Sequence, residues 1–97
     1  MDKMVMIVYN EAMDEEVMNI LSHCTVKSYT KVRGVHGKGE SSGTHLDSDI
    51  WPGKNNILYV ACMAKQSEQL LARVKELRKK LSHEGIKAFV LPVEEVI

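Results

Sequence analysis

The chain has 97 residues, 13 of them basic and 13 acidic, so it carries no formal net charge at neutral pH. This length fits a single domain, and a neutral chain lacks the basic face with which nucleic-acid-binding proteins neutralise phosphates. Aromatic residues make up 5% of the chain, so stacking platforms for single strands are also scarce. We therefore expect one domain over residues 1–97 and no nucleic-acid partner.

The cysteines and the opening segment predict a cytoplasmic protein. Cys24 and Cys62 are not arranged as a CxxC motif, and no secretory signal precedes them, so two reduced, buried thiols are expected. The first apolar run covers only residues 4–9, which is too short to span a bilayer. We expect no direct insertion into a membrane.

Strands and helices alternate along the chain. The apolar runs at residues 4–9 and 57–63 predict strands, as do the mixed segment 26–35 and residues 87–91, where Pro92 ends regular pairing. A first helix is predicted over residues 13–23, with Asn10 and Asp14 as capping side chains. Ser67 is predicted to cap a second helix that Gly85 ends. Its apolar stripe comprises Leu70, Leu71, Val74, Leu77 and Leu81.

This order of elements is the βαββαβ pattern of a ferredoxin-like α+β sandwich. Right-handed crossovers place both helices on one face of an antiparallel sheet, with the strands at 4–9 and 57–63 in its centre. Both alternating sets of side chains in these two strands are apolar, so each strand favours burial on both faces. We therefore predict that the face without helices packs against other copies of the chain, or else against a different partner.

A long polar, glycine-rich loop is predicted at about residues 36–56, and loops of this length in compact domains are usually functional or disordered. Gly34, Gly37 and Lys38 could form a backbone nest for an anion, although the spacing is not that of a Walker A loop. The alternative is a hinge through which the loop leaves the sheet. Trp51 either anchors the loop to the body or forms part of a ligand or partner surface, and Lys54 is expected to face a ligand cleft.

The same loop also contains side chains that can bind metals. His36, His45, Asp47 and Asp49 could bind an ion if a turn or several subunits brought them together. A site with histidine and carboxylate ligands would favour copper, nickel or zinc over magnesium. A solvated polar loop explains the same residues without any ion. No nucleophile, base and orienting group can be recognised together, so we expect no enzyme activity.

Three segments resemble the PII family of nitrogen regulatory signal-transduction proteins. Residues 32–35 (VRGV) resemble the Val-Lys-Gly-Phe segment that opens the family's T-loop, and residues 67–70 (SEQL) resemble the start of its second helix. Residues 89–97 (FVLPVEEVI) resemble its Phe-Val-Ser-Pro-Val-Glu-Glu-Val-Ile segment most closely. The resemblance implies a homotrimer that binds an adenine nucleotide in clefts between subunits. It also implies a loop that signals to a target protein, such as a membrane transporter or an enzyme.

The resemblance also suggests site residues. Gly34 and Val35 match the opening of the T-loop, and Ser28 matches a threonine position near the family's adenine pocket. Gly85 and Lys87 could retain a phosphate contact, although residues 82–87 lack the family's Gly- and Lys-rich B-loop. A basic stretch after the Val-Ile pair is not in this sequence, so we expect a divergent, truncated PII-like member. The trimeric ion-tolerance protein CutA shares the general architecture, and a metal-responsive trimer of that type is the alternative.

Overall fold

The structure, a computed structural model, describes residues 1–37, 54–81 and 85–97. Within them, strand β1 covers Lys3–Asn10, a short 3-10 turn covers Glu11–Met13, and helix α1 covers Asp14–His23. Strands β2 and β3 cover Thr30–Val35 and Asn55–Cys62, helix α2 covers Ala64–Lys80, and strand β4 covers Ile86–Pro92. The order of elements is the predicted ferredoxin-like α+β order.

The four strands form one antiparallel sheet in the order β2-β3-β1-β4. The register pairs Val5 of β1 with Val60 of β3 on one side and with Val90 of β4 on the other. The prediction that β1 and β3 are the central strands is therefore confirmed. These two strands have the most continuous apolar runs, which is typical of strands that are buried on both faces.

The hydrophobic core lies between one face of the sheet and both helices. Alternate residues of the central strands are buried there, which are Val5, Ile7, Tyr9, Leu58, Val60 and Cys62. Helix α1 contributes Val17 and Leu21, and helix α2 contributes Leu70 and Val74 from the predicted stripe. Both helices therefore pack on one face, because their apolar stripes cover the same alternate residues of the strands.

The opposite face of the sheet carries the other alternate set, and we call it the open face. It presents Met4, Met6, Val8, Ile57, Tyr59, Phe89 and Leu91, as the strand register and the alternating burial show. Phe89 and Leu91 are 44% and 45% exposed in the single chain. Neither α1 nor α2 covers this face, so a broad apolar surface is left uncovered in the single chain.

Several predicted boundaries and caps are wrong, including the end of the long loop, since β3 already begins at Asn55. Strand β2 begins at Thr30 instead of at residue 26, because Thr25 has a φ of 55° and the Val26 N–H donates to the Leu21 carbonyl at 2.9 Å to close the helix. Ser67 does not cap α2. The helix begins at Ala64, and the Ser67 hydroxyl donates to the Ala64 carbonyl at 2.7 Å from within the first turn. Asn10 does act as a cap, since its Oδ1 accepts from the Ala12 N–H at 2.9 Å, but it caps the 3-10 turn, and α1 begins at Asp14 without a side-chain cap. Gly85 does not end α2, because the helix already ends at Lys80 with Leu81 as its C-cap.

The described helices are also too short or too polar to cross a membrane.

Candidate functional site

One end of the sheet gathers most of the described candidate residues. Because the strands are antiparallel, β1 and β2 end where β3 and β4 begin. The Asn10 N–H donates to the Gly85 carbonyl at 2.8 Å, and the Glu11 N–H donates to the Lys54 carbonyl at 3.3 Å. We call this end the glycine edge. It comprises Gly34, Val35, Gly37, Lys54 and Gly85, which three separate segments of the chain contribute.

Two glycines at this edge have backbone conformations that other residues rarely adopt. Gly34 has a φ of 65°, and nothing lies within 4 Å of the position that a Cβ would occupy. Gly85 has a φ of 81°, and a Cβ there would lie 2.6 Å from Cε of Met13. Glycine is favoured at both positions because it has no Cβ penalty at positive φ. Gly85 also allows a close approach to the first helical turn.

Positive charge accompanies these glycines. Lys54 is exposed directly before β3, and Lys87 is exposed one residue into β4, where it pairs with Val8 on the open-face side. Arg33, beside Gly34, is also exposed. Exposed backbone near glycines combined with lysine ammonium groups is a suitable environment for an anion such as a phosphate.

Ser28 does not join this group. It lines a pocket of about 210 Å³ together with Thr25, Val26, Lys27, Val60, Ala61 and Gln66 and with Met1. This pocket lies at the opposite end of the sheet from the glycine edge. Val60 is five residues along β3 from Asn55, which separates the two ends by about 17 Å at the usual rise of a strand. Within one chain, Ser28 and Gly34 therefore belong to different surfaces.

A polar cluster that the sequence analysis missed lies directly behind the glycine edge. Asp14 accepts a hydrogen bond from the Tyr9 hydroxyl at 2.5 Å and forms a salt bridge with Lys31 at 2.8 Å. Asn56 donates from Nδ2 to Asp14 Oδ1 at 3.3 Å, and its Oδ1 accepts from the Gly34 N–H at 3.3 Å. We call these four side chains, Tyr9, Asp14, Lys31 and Asn56, the Asp14 cluster. The Asp14 cluster connects α1 to the strands β1, β2 and β3.

The electrostatics of the cluster favour an ionised Asp14. Burial alone would raise the pKa of this carboxyl, but hydrogen bonds from Lys31 and Tyr9 outweigh it and hold the pKa below its usual value. Burial and the hydrogen bond to Asp14 raise the pKa of Tyr9, which therefore stays a donor at all physiological pH values. The sequence predicts Asp14 as a capping side chain. It is the first residue of α1, but its carboxylate accepts from Lys31, Tyr9 and Asn56 instead of capping the helix.

Several predicted site residues fall outside the described part of the chain. These are Lys38 and Trp51 among the ligand candidates, and His45, Asp47 and Asp49 among the metal candidates. His36 is described and exposed, just after β2. Among residues 1–37, 54–81 and 85–97, no three side chains of the histidine, cysteine, aspartate or glutamate type come together in a group that could bind a metal. The metal site therefore stays a prediction.

The sequence matches the family model described as nitrogen regulatory protein P-II over residues 2–97. The chain belongs to the P-II family. This match confirms the resemblance noted in residues 32–35, 67–70 and 89–97, and it covers the glycine edge and the Asp14 cluster as well. No curated protein sequence matches the chain.

Solved PII-like structures share the fold at low sequence identity. A PII-like signalling protein from Thermus thermophilus matches with a TM-score of 0.69 and 23% identity, covering 95% of this chain and 86% of its own. CPII from Thiomonas intermedia, a nitrogen regulatory PII-like protein solved with ADP, AMP and bicarbonate, matches with a TM-score of 0.69 and 19% identity. That match covers 97% of this chain and 89% of CPII. The predicted ferredoxin-like fold of a PII-like protein is thus confirmed.

Proposed function

We propose that this P-II family chain is a regulatory, non-enzymatic protein that binds an adenine nucleotide between the subunits of a homotrimer. The observation that carries the proposal is the separation of the two candidate surfaces. The glycine edge and the pocket beside Ser28 lie at opposite ends of one sheet. One nucleotide can contact both only if the two surfaces come from neighbouring copies of the chain.

The open face supports the homotrimer. Met6, Phe89 and Leu91 are neighbours across β1 and β4, and apolar surface of this kind is strongly favoured to leave water. A second copy offers the same apolar chemistry in return, as closed homo-oligomers require. Burial of this face between copies would place the glycine edge of one copy near its neighbours.

The glycine edge supports a phosphorylated ligand. Gly34 and Gly85 are exposed residues at positive φ, where no side chain blocks access to the neighbouring backbone, and Lys54 and Lys87 provide cationic side chains beside β3 and from β4. The pocket beside Ser28 has mixed polar and apolar walls, which suits a purine base better than a second phosphate. CPII, which shares the fold, was solved with ADP and bicarbonate bound. ADP and AMP are therefore the first ligands to test, with bicarbonate beside them.

Isothermal titration calorimetry and thermal unfolding with ADP, AMP, ATP and bicarbonate test the ligand. A ligand at about one hundred times its Kd should stabilise the fold by about 2.7 kcal/mol. Lys54→Ala combined with Lys87→Ala should weaken ADP binding, whereas Lys75→Ala combined with Lys79→Ala on the exposed side of α2 should not. Absence of binding by every nucleotide in the panel would refute the nucleotide site.

We propose further that nucleotide binding controls contact with a target protein, and that the segment between Gly37 and Lys54 makes this contact. The support is its position, since its two ends adjoin the candidate ligand residues Gly34 and Lys54. A variant with residues 38–53 replaced by a short glycine-serine linker should lose nucleotide-dependent capture of the target. Equal capture by the wild type and this variant would remove the segment from the proposal.

A further inference from the structure

The side chain of Asn56 connects the glycine edge to the Asp14 cluster. Asn56 is 4% exposed, and both ends of its amide are used. Nδ2 donates to Asp14 Oδ1, and Oδ1 accepts from the N–H of Gly34, each at 3.3 Å. The pairs Val32–Ile57 and Val35–Asn55 hold β2 on either side of Gly34, and the hydrogen bond to Asn56 ties the Gly34 N–H between them to β3.

The charge of Asp14 determines which way the Asn56 amide points. An ionised carboxylate can only accept hydrogen bonds, so the NH₂ end of Asn56 must face Asp14. The carbonyl end must then face Gly34, where it meets a backbone donor. If the amide turned over, two acceptors would face each other at Asp14 and two donors would face each other at Gly34, which is costly for buried groups.

Asp14 is itself held in place by two further donors. Lys31 Nζ lies 2.8 Å from Oδ1 and 3.1 Å from Oδ2, and the Tyr9 hydroxyl donates to Oδ1. The Lys31 side chain is 13% exposed, that of Asp14 is 31% exposed and Tyr9 is fully buried, so these contacts are only partly open to water. The carboxylate therefore has one position relative to β2, and Asn56 transmits that position to Gly34.

We propose that Asp14 and Asn56 are positioning residues that set the Gly34 backbone for ligand binding, a role that rests on the function proposed above. Asn56 is buried, and the exposed third of Asp14 lies at the start of α1, whereas Lys54 is exposed at the glycine edge itself. Both act through Gly34, which lies within β2 at a φ of 65°, at the register shift between the pairs Val32–Ile57 and Val35–Asn55. The Gly34 N–H is occupied by Asn56, so ligand contacts are left to the neighbouring backbone groups.

Exchanging the two side chains tests this role. Asp14→Asn removes the charge that orients Asn56, and Asn56→Asp puts two carboxylates face to face. Each single variant should weaken ADP binding about five-fold, the effect expected for one hydrogen bond. The double variant Asp14→Asn/Asn56→Asp has one amide and one carboxylate again, with a carboxylate oxygen facing Gly34. Its Kd should recover part of the loss seen in each single variant, since residues 14 and 56 again pair an amide with a carboxylate and Gly34 keeps an acceptor, although Lys31 loses its counter-charge at position 14.

A second measurement needs no nucleotide. Hydrogen exchange of the Gly34 amide, followed by NMR, should be faster in each single variant and slow again in the double variant. Asn19→Asp, on the exposed side of α1, adds the same charge as Asn56→Asp and should change neither measurement. If the wild type binds no nucleotide, the proposed function fails, but the exchange data still decide the positioning role. The positioning role would be overturned if the single variants exchanged the Gly34 amide as slowly as the wild type. It would also be overturned if the double variant exchanged this amide as fast as the single variants.

Discussion

Replacing Asp14 with asparagine should destabilise the protein in a way that depends on pH. The variant keeps the shape of the side chain but leaves the Lys31 ammonium without its counter-charge. Removing one partner of a fully buried ion pair costs about 3–5 kcal/mol, whereas exposed pairs contribute about 0–1 kcal/mol. The side chains of Lys31 and Asp14 are 13% and 31% exposed, which lies between these limits. We expect a loss of about 2 kcal/mol at pH 7.

The sign of the pH dependence follows from the direction of the pKa shift. The Asp14 pKa is lower in the folded protein than in the unfolded chain. Its stabilising contribution is therefore complete above the unfolded pKa of about 4 and is lost as the pH falls through the folded value. Wild type and Asp14→Asn should differ by a constant free energy of unfolding between about pH 5 and 8, and the difference should shrink below about pH 4.

Urea denaturation at one fixed protein concentration, from about pH 3 to pH 8, measures this difference. Glu15→Gln is the matched control, because Glu15 is exposed in the same first turn of α1. The free energy of unfolding of this variant should lie within about 0.5 kcal/mol of the wild-type value. Lys31→Met should cost about as much as Asp14→Asn, and the double variant should cost less than the sum. If wild type and Asp14→Asn differ in free energy of unfolding by the same amount at both ends of this pH range, the loss of stability does not come from the Asp14 charge.

Three further predictions concern other parts of the molecule. Gly34→Ala should destabilise the fold by about 1 kcal/mol in urea denaturation because of its positive φ alone, and Gly34→Asn by less, since asparagine tolerates that region. Met6→Asp on the open face should lower the oligomer mass measured by light scattering, because it places a charge in the proposed interface. Glu76→Lys on the exposed side of α2 should leave the mass unchanged. An unchanged mass for Met6→Asp would exclude the open face as the interface. Burial raises the pKa values of Cys24 and Cys62, so both thiols should react with a thiol reagent only after denaturation, and rapid reaction of the native protein would contradict this.

The fold could be predicted because its signals are periodic and local. The alternation in β1 and β3 and the stripe from Leu70 to Val74 identify which side of each element is buried, and the order of elements leaves few topologies. Two of the wrong boundaries have local causes that the periodicity of apolar residues does not reveal. Val26 is apolar because it closes α1 against the core rather than because it begins β2, and Ser67 has a capping side chain but lies inside α2.

The glycine edge was predictable in part. Gly34 and Gly85 stand out as glycines next to strands, and the ferredoxin-like order alone brings the end of β2 and the start of β4 to the same end of the sheet. Ser28 joins the predicted ligand residues through its match to a family position. Its distance from Gly34 within one chain depends on the register of β2 against β3, which no local pattern in the sequence determines.

The Asp14 cluster shows why a site can be missed although each of its residues is visible. The partners of Asp14 lie 5, 17 and 42 residues away in the sequence, so no spacing rule connects them. One signal was nevertheless available. The alternation of β2 puts Val32 on the open face and hence Lys31 on the helix side, where its partner across the sheet is the buried Leu58. A lysine on that side requires a carboxylate, and the start of α1 packs beside the same end of the sheet. Asp14 is therefore better explained as the counter-charge of Lys31 than as a charge that stabilises its own helix.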